Sequence, residues 1–164
     1  MAELRLRRRN RLRKKEIEKL AYQLNEIIGC ETFDPNDIIE TAEAGGIQLI
    51  LLEGKPVAMF FGQDPFPTVL GLLKYNATKR YVTVDMGAVK FLANGADVMA
   101  PGVVDADPEV REGMPVWIRD EKNKQPLAVG IAVMDAHEMV AANAGKAVKT
   151  HQYVGDKIWV LGSE

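Results

Sequence analysis

Hydrophobic residues recur at steps of three and four between residues 14 and 29, and this spacing predicts an amphipathic helix that ends near Gly29. An Asp-Pro pair then suits the start of a second helix over residues 34–42. Two apolar runs, at 47–52 and 57–61, are separated by Glu-Gly-Lys-Pro, which predicts a β-hairpin. The first half of the chain therefore combines helices with strands.

Shorter patterns surround these elements. Residues 2–8 alternate leucine with charge, as a half-buried opening strand does. Residues 64–67 read Asp-Pro-Phe-Pro, which predicts a stiff turn, and residues 68–75 fit either a strand or a helix. The polar stretch 76–80 follows, and we place a domain boundary there.

The most informative pattern lies at residues 82–103. A β-branched strand at 82–84 meets Asp85 and a glycine, and a short amphipathic helix follows at 88–93. A Gly-Ala turn then leads into a second strand that ends at Pro-Gly. We interpret Asp85 as the cap of the helix. Such a segment displays small residues and bare backbone beside a helix, where a polynucleotide can approach closely.

The remaining pattern predicts short strands at 116–118, 128–133 and 148–151 and one short helix at 135–142. Glycine and proline residues stand between these segments. Many short strands with turn residues between them are typical of a small barrel. Of the 164 residues, 47% are hydrophobic, which suffices for a buried core.

The net charge of −2 hides an uneven distribution of charge. Eight basic residues and no acid lie from Arg5 to Lys15, so the rest of the chain is acidic. Such a run suits phosphate groups or an anionic membrane surface. Glu16 and Glu18 follow the run where a secretory signal would be apolar, and no apolar run is long enough to span a bilayer. We therefore expect a cytoplasmic protein that does not enter a membrane.

The residues offer little for catalysis or metal binding. Cys30 is the single cysteine and is expected to be a structural thiol. The two histidines, His137 and His151, have no spacing that suggests a metal site. The acids at 105–109 lack the pattern of a calcium loop and are expected to form a surface turn. We expect no cofactor and no metal ion.

Two motifs carry a resemblance to the PUA domain, the RNA-binding module of pseudouridine synthases and archaeosine transglycosylases. The pattern D-x-G-A-x-x-x-x-x-x-G-A-x-x-x-x-P-G is met by Asp85, Gly87, Ala88, Gly95, Ala96, Pro101 and Gly102. A closing G-D-x-x-W is met by Gly155, Asp156 and Trp159. Upstream, residues 64–75 are similar to the segment before the PUA domain in the malignant T-cell amplified sequence family of translation factors and in ligatin.

This resemblance implies an α+β fold with two domains. Residues 1–77 would form a small N-terminal pre-PUA α+β domain, and residues 78–164 a C-terminal PUA β pseudo-barrel that binds RNA. The chain resembles an archaeal-type, stand-alone member of the family.

The resemblance also implies a binding site. In PUA domains, RNA lies against the first helix, the Gly-Ala turn and the last strand. Carried over by position, the contacts would be Gly87, Lys90, Gly95, Ala96, Asp97, Val98, Met99, Pro101, Gly102, Lys149, His151 and Tyr153. Backbone and small residues would admit bases, the two lysines would meet phosphates, and the tyrosine would stack on a base. We expect the basic run to add phosphate contacts through Arg7, Arg8, Arg9 and Arg11.

The expected function is therefore non-catalytic binding of structured RNA, such as tRNA or ribosomal RNA. The resemblance implies a link to translation, with the small ribosomal subunit or an initiation-factor-like protein as partner. Three alternatives stay open at this point. The chain would instead be an accessory targeting subunit of an RNA-modifying enzyme of the pseudouridine synthase or tRNA-guanine transglycosylase type, an enzyme itself, or a protein-interaction module that binds no RNA.

Overall fold

The computed structural model describes residues 4–163, and their backbone divides into two compact units. The second unit is Thr78–Asp156, and the first comprises the residues up to Ala77 together with those from Lys157 onward. The sequence placed everything after residue 77 in the second domain, whereas the closing helix packs in the first unit. Both units mix helices and strands, so the α+β class is confirmed.

The first unit is a five-stranded antiparallel sheet with three helices. The strands follow one another across the sheet in chain order. They are β1 (Arg7–Arg11), β2 (Ile39–Ala44), β3 (Ile47–Leu52), β4 (Lys55–Phe61) and β5 (Asp64–Pro67). The helices are α1 (Lys14–Ile28), α2 (Val69–Lys74) and α5 (Lys157–Ser163).

The amphipathic helix predicted before Gly29 is confirmed as α1. Its apolar face is buried and includes Leu24 and Ile28, which have no exposed surface. The helix packs on β5. The opening strand was expected at residues 2–8, of which 2 and 3 lie outside the described residues. The observed strand is β1, and all five of its residues are exposed.

The helix predicted over 34–42 is wrong. The backbone N–H of Asn36 donates to the Asp34 carboxylate at 2.8 Å, and the N–H of Asp34 donates to the Asp37 carboxylate at 2.9 Å. These short side chains satisfy the backbone in a turn instead of capping a helix. The chain then continues as β2, which is paired on both sides, with β1 and β3.

The β-hairpin of β3 and β4 is confirmed. Residues 64–67, which were expected to form only a turn, instead pair with β4 as an antiparallel strand, with Phe66 opposite Met59. This strand lies at the edge of the sheet, where proline is tolerated because no neighbour on the outer side needs its missing N–H. Phe66 is fully buried there and anchors the strand.

Residues 68–75 resolve as the helix α2, which Thr68 caps. The Thr68 hydroxyl accepts from the backbone N–H of Gly71 at 3.2 Å and donates to the carbonyl of Pro56 at 2.8 Å. A Cβ at Gly71 would lie 2.0 Å from the carbonyl oxygen of Val57, so α2 meets β4 where only glycine fits. The closing helix α5 packs on the same strand and on α2, with Ile158 buried.

The second unit is a six-stranded sheet that curls into a nearly closed barrel. The strand order is β7-β11-β10-β9-β6-β8; β6 and β9 are parallel and the other pairs antiparallel. The strands are β6 (Tyr81–Val84), β7 (Val98–Met99), β8 (Val103–Ala106), β9 (Pro115–Asp120), β10 (Pro126–Ala132) and β11 (Lys146–Tyr153). The helices are α3 (Met86–Leu92) and α4 (Ala136–Ala141), with a 3-10 turn at Ala100–Gly102.

Small aliphatic residues from these strands fill the barrel, among them Val82, Val116 and Val148. Leu92 from α3 and Met139 from α4 complete this core. Trp117 is also buried, and its indole N–H donates to the carbonyl of Lys79 at 2.8 Å. The barrel is therefore a packed scaffold, and α3 lies on its outside beside β7.

Candidate nucleic-acid interface

A pocket of about 630 Å³ lies between α3, β7 and the 3-10 turn of the second unit. Seven of the twelve site residues expected in the second half line it. Those seven are Gly87, Ala96, Asp97, Val98, Met99, Pro101 and Gly102. The pocket is completed by Asp85, Ala88, Phe91, Leu92 and Lys146.

Asp85 fixes the wall of the pocket formed by the start of α3. Its carboxylate accepts from the backbone N–H of Ala88 at 2.9 Å, which confirms the predicted helix cap. Its own N–H donates to the carbonyl of Gly102 at 2.9 Å and so joins α3 to the end of the 3-10 turn. A Cβ at Gly102 would lie 3.3 Å from that of Ala88, so the two walls meet closely. The carboxylate is thus engaged in the fold.

The Gly-Ala turn after α3 depends on a glycine at its first position. Gly95 has a φ of +82°, and a Cβ there would lie 2.7 Å from the ring of Tyr153. Tyr153 is half-buried and packs on the barrel core. Neither residue lines the pocket. The two residues shape the turn from behind, and Ala96 and Asp97 follow it into the pocket wall.

An ion pair stands in the pocket wall. The Nζ of Lys146 lies 2.8 Å from Oδ2 of Asp97, whose Oδ1 accepts from the backbone N–H of Thr150 at 2.9 Å. The hydrogen bond from Lys146 is the largest of the effects that lower the pKa of Asp97. The sequence did not point to Lys146. Its position became apparent only because β11 pairs with β7, which sets Lys146 opposite Met99.

The rim of the pocket exposes large apolar side chains. Phe91 is 59% exposed and Met99 is 50% exposed, although both belong to apolar types that are usually buried. Phe91 is a second residue that the sequence analysis missed. The available signal was its position on the outward face of a short helix. An exposed aromatic ring at a pocket mouth can stack on a nucleic-acid base.

The other expected contacts in this unit lie outside the pocket lining. Lys90 is exposed on α3, and its Nζ lies 5.5 Å from the centroid of the Phe91 ring. Lys149 and His151 are exposed on β11. Desolvation and the nearby Lys149 ammonium lower the pKa of His151, and they outweigh the opposing effect of the Asp97 carboxylate.

The basic run lies in the first unit, where part of it forms β1. Arg9 donates two hydrogen bonds to the Glu40 carboxylate, at 3.0 and 2.7 Å, and Arg9 is the main cause of the lowered pKa of Glu40. Arg7, Arg8 and Arg11 are exposed. A second concave surface follows β1 and is lined by Asn10, Arg11, Arg13, Lys14, Lys15 and Glu16.

Residues 4–163 contain no cluster of three or more His, Cys, Asp or Glu side chains arranged to hold a metal ion. The acids at 105–109 include Asp107, whose carboxylate accepts from the N–H groups of Arg80 and Glu109 and so closes a turn. Over the same described range, every helix is too short or too polar to cross a membrane.

Comparisons with known proteins agree with this architecture. A family model for the PUA domain matches residues 80–154. Malignant T-cell-amplified sequence 1 of Danio rerio is 30% identical over 142 residues, which cover 83% of this chain and 75% of the relative. Translation machinery-associated protein 20 of Saccharomyces cerevisiae is 29% identical over 124 residues, covering 72% of this chain and 68% of the relative.

Two archaeal proteins match nearly the whole chain. An uncharacterized protein of Methanocaldococcus jannaschii is 42% identical over 156 residues, which cover 94% of this chain and 96% of the relative. The solved structure of a conserved PUA domain protein from Thermoplasma acidophilum is 30% identical and has a TM-score of 0.80. That match covers 94% of this chain and 99% of the other.

Proposed function

The chain belongs to the family of PUA-domain proteins that includes malignant T-cell-amplified sequence 1, and we propose that it binds structured RNA in the pocket beside α3 in the service of translation. The pocket itself is the observation that carries this proposal. Its inner wall is built from small residues such as Gly87, Ala96 and Gly102, so ribose and base can approach the backbone.

The pocket combines apolar and polar surface as an unpaired nucleotide requires. The exposed ring of Phe91 offers a stacking face, and such stacking contributes about 1–3 kcal/mol per base. The N–H groups of Gly95 and Ala96 donate to the carbonyls of Leu92 and Phe91 at 2.9 and 3.2 Å, so the Gly-Ala turn would offer carbonyl oxygens as partners for sugar and base edges. These features favour unpaired RNA, whose bases are splayed out at a loop or an end, and they disfavour a continuous duplex.

The predicted contact residues outside the pocket would bind the part of the RNA that extends beyond it. Lys90, Lys149 and His151 would meet it along α3 and β11, and Tyr153 and Gly95 would hold the turn that faces it. The arginines of β1 would add sequence-independent phosphate contacts. Binding of this kind needs no catalytic group, and we propose that the chain acts without catalysis.

The proposed link to translation rests on the relatives. One of them is named for its association with the translation machinery, and its match, at 29% identity, covers 72% of this chain. The RNA would then be tRNA or ribosomal RNA, and the partners the small ribosomal subunit or an initiation-factor-like protein.

Crosslinking of the full chain to RNA in living cells, followed by sequencing of the bound fragments, tests the proposal. We expect enrichment of small-subunit ribosomal RNA or tRNA over an uncrosslinked control. Recovery of the chain with an RNA-modifying enzyme and that enzyme's RNA would instead support an accessory targeting role. A background identical to that of the control would contradict RNA binding altogether.

A further inference from the structure

The pocket beside α3 holds one cationic side chain among the described residues that line it, and this is Lys146. We infer that Lys146 supplies the phosphate contact of the bound nucleotide and that Asp97 positions its ammonium group for this contact. The inference rests on the proposed function, because it names the part of the RNA that this wall of the pocket recognises.

Two features fix the position of Lys146: the pairing of its strand and its ion pair with Asp97. β11 pairs with β7 so that Lys146 faces Met99, which places its side chain at the pocket mouth. Asp97 is itself fixed, because one carboxylate oxygen accepts from the Thr150 N–H at 2.9 Å. The other oxygen lies 2.8 Å from the Lys146 Nζ. A long and otherwise flexible side chain is therefore held in one place before RNA arrives.

The ammonium group keeps the capacity to bind an anion while it is paired. A lysine ammonium has three donors, and the Asp97 carboxylate takes one of them. The Lys146 side chain is 47% exposed, whereas that of Asp97 is 29% exposed, so the cation is the more accessible member of the pair. A phosphate entering the pocket would accept a short, charge-assisted hydrogen bond from the remaining donors.

The lysines that the sequence suggested are placed differently. Lys90 lies with its ammonium over the ring of Phe91, and Lys149 is exposed on β11 away from the pocket lining. Neither shares the fixed position of Lys146. Lys79 serves as the matched control, because it carries the same charge on the same unit but is exposed before β6, at the end of that strand opposite Asp85 and outside the pocket lining.

The first test measures binding of a short single-stranded RNA to the full chain by fluorescence anisotropy over a series of salt concentrations. We expect Lys146→Gln to weaken binding about tenfold and to reduce the slope of log affinity against log salt by about 0.7, the loss of one phosphate contact. Lys146→Arg should recover most of the affinity. Lys79→Gln should change affinity by less than about threefold, because a distant exposed charge is screened.

The second test separates positioning from net charge. Asp97→Asn keeps a carbonyl oxygen for the Thr150 N–H but removes one negative charge from the pocket. A simple charge effect would tighten RNA binding, whereas loss of positioning should weaken it by about threefold or more. Tighter binding by Asp97→Asn, or equal losses in the Lys146→Gln and Lys79→Gln variants, would overturn the inference. Absence of RNA binding by the unaltered chain would overturn the proposed function itself.

Discussion

Gly87 and Gly95 both belong to the predicted site, but glycine occupies the two positions for different reasons. Gly95 has a positive φ and supports the ring of Tyr153, so the fold itself demands glycine there. Gly87 is the second residue of α3, is exposed, and lies outside the set of glycines with positive φ in residues 4–163. The nearest atom to an added Cβ would be the Asp85 carboxylate oxygen at 3.3 Å. The backbone conformation at Gly87 therefore allows a side chain once the Asp85 carboxylate shifts by a few tenths of an ångström, and the glycine leaves space open in the pocket wall.

Gly87→Leu should consequently separate binding from stability. We expect RNA affinity to fall about tenfold because the new side chain occupies the space of a base or ribose. The free energy of unfolding should stay the same or rise by about 0.5 kcal/mol, since glycine is a poor helix former. RNA titration and thermal unfolding measure the two effects.

Ala93→Leu is the matched control, because Ala93 is exposed at the end of α3 and outside the pocket lining. It should leave affinity unchanged. A folded Gly87→Leu variant with unaltered affinity would show that RNA does not enter the pocket. Gly95→Leu is unsuitable as a test, since strain at φ +82° and contact with Tyr153 would disturb the turn itself.

At the scale of elements, β1 is the strand in which part of the predicted basic run forms an exposed surface. It is an edge strand, and its five residues are exposed. Its register with β2 shifts between Arg7 and Asn10, and Arg8 within that shift has a φ of +53°. Arg9 alone among the arginines of this strand forms an ion pair within the described residues, with Glu40. The run is therefore an ordered cationic edge with one internally paired member.

Simultaneous replacement of Arg7, Arg8 and Arg11 by Ser should weaken RNA binding and reduce its salt slope by about 2, as three phosphate contacts are lost. Arg9→Ser should change the slope by less, because Glu40 already neutralises that guanidinium. The measurement is a binding isotherm at several salt concentrations. Equal slopes for the triple variant and the unaltered chain would mean that β1 is only a solvated edge.

The elements that the sequence predicted well are those with long, regular patterns. The five buried side chains of α1 recur along one face, and the runs of β3 and β4 flank an obvious turn. The predictions at 34–42 and 64–67 were wrong because β2 forms a hairpin with β3 and β5 forms one with β4, and this strand pairing outweighed the local helix-capping and turn signals. Lys146 and Phe91 were missed for a related reason, since their approach depends on how β11, β7 and α3 meet in space.

At the scale of the whole molecule, ionised carboxylates stabilise both units. Glu40 in the first unit and Asp97 and Asp120 in the second have lowered pKa values. Burial opposes ionisation of Asp120, but the backbone N–H groups of Asn123 and Gln125 donate to its carboxylate and prevail. Because the folded pKa values lie below the unfolded ones, this stabilisation is present at neutral pH and is lost as pH falls through the acid range.

The midpoint of thermal unfolding should therefore decrease between pH 7 and pH 3. Asp120→Asn should cost about 2 kcal/mol at pH 7, because the buried loop loses its charge-assisted hydrogen bonds. The difference between this variant and the unaltered chain should shrink toward pH 3, where the native carboxyl also becomes protonated. A difference independent of pH would show that ionisation of Asp120 does not stabilise the fold.

The position of α5 determines how the chain can be dissected. This helix packs on β4 and α2 of the first unit. In the chain, the second unit is therefore an insertion between two segments of the first unit. A single cut after Ala77 would remove α5, with its buried Ile158, from the first unit. The apolar surface against which that helix packs would then be exposed to water. Excising Thr78–Asp156 and bridging the gap with a short flexible linker would keep each piece with all of its own elements.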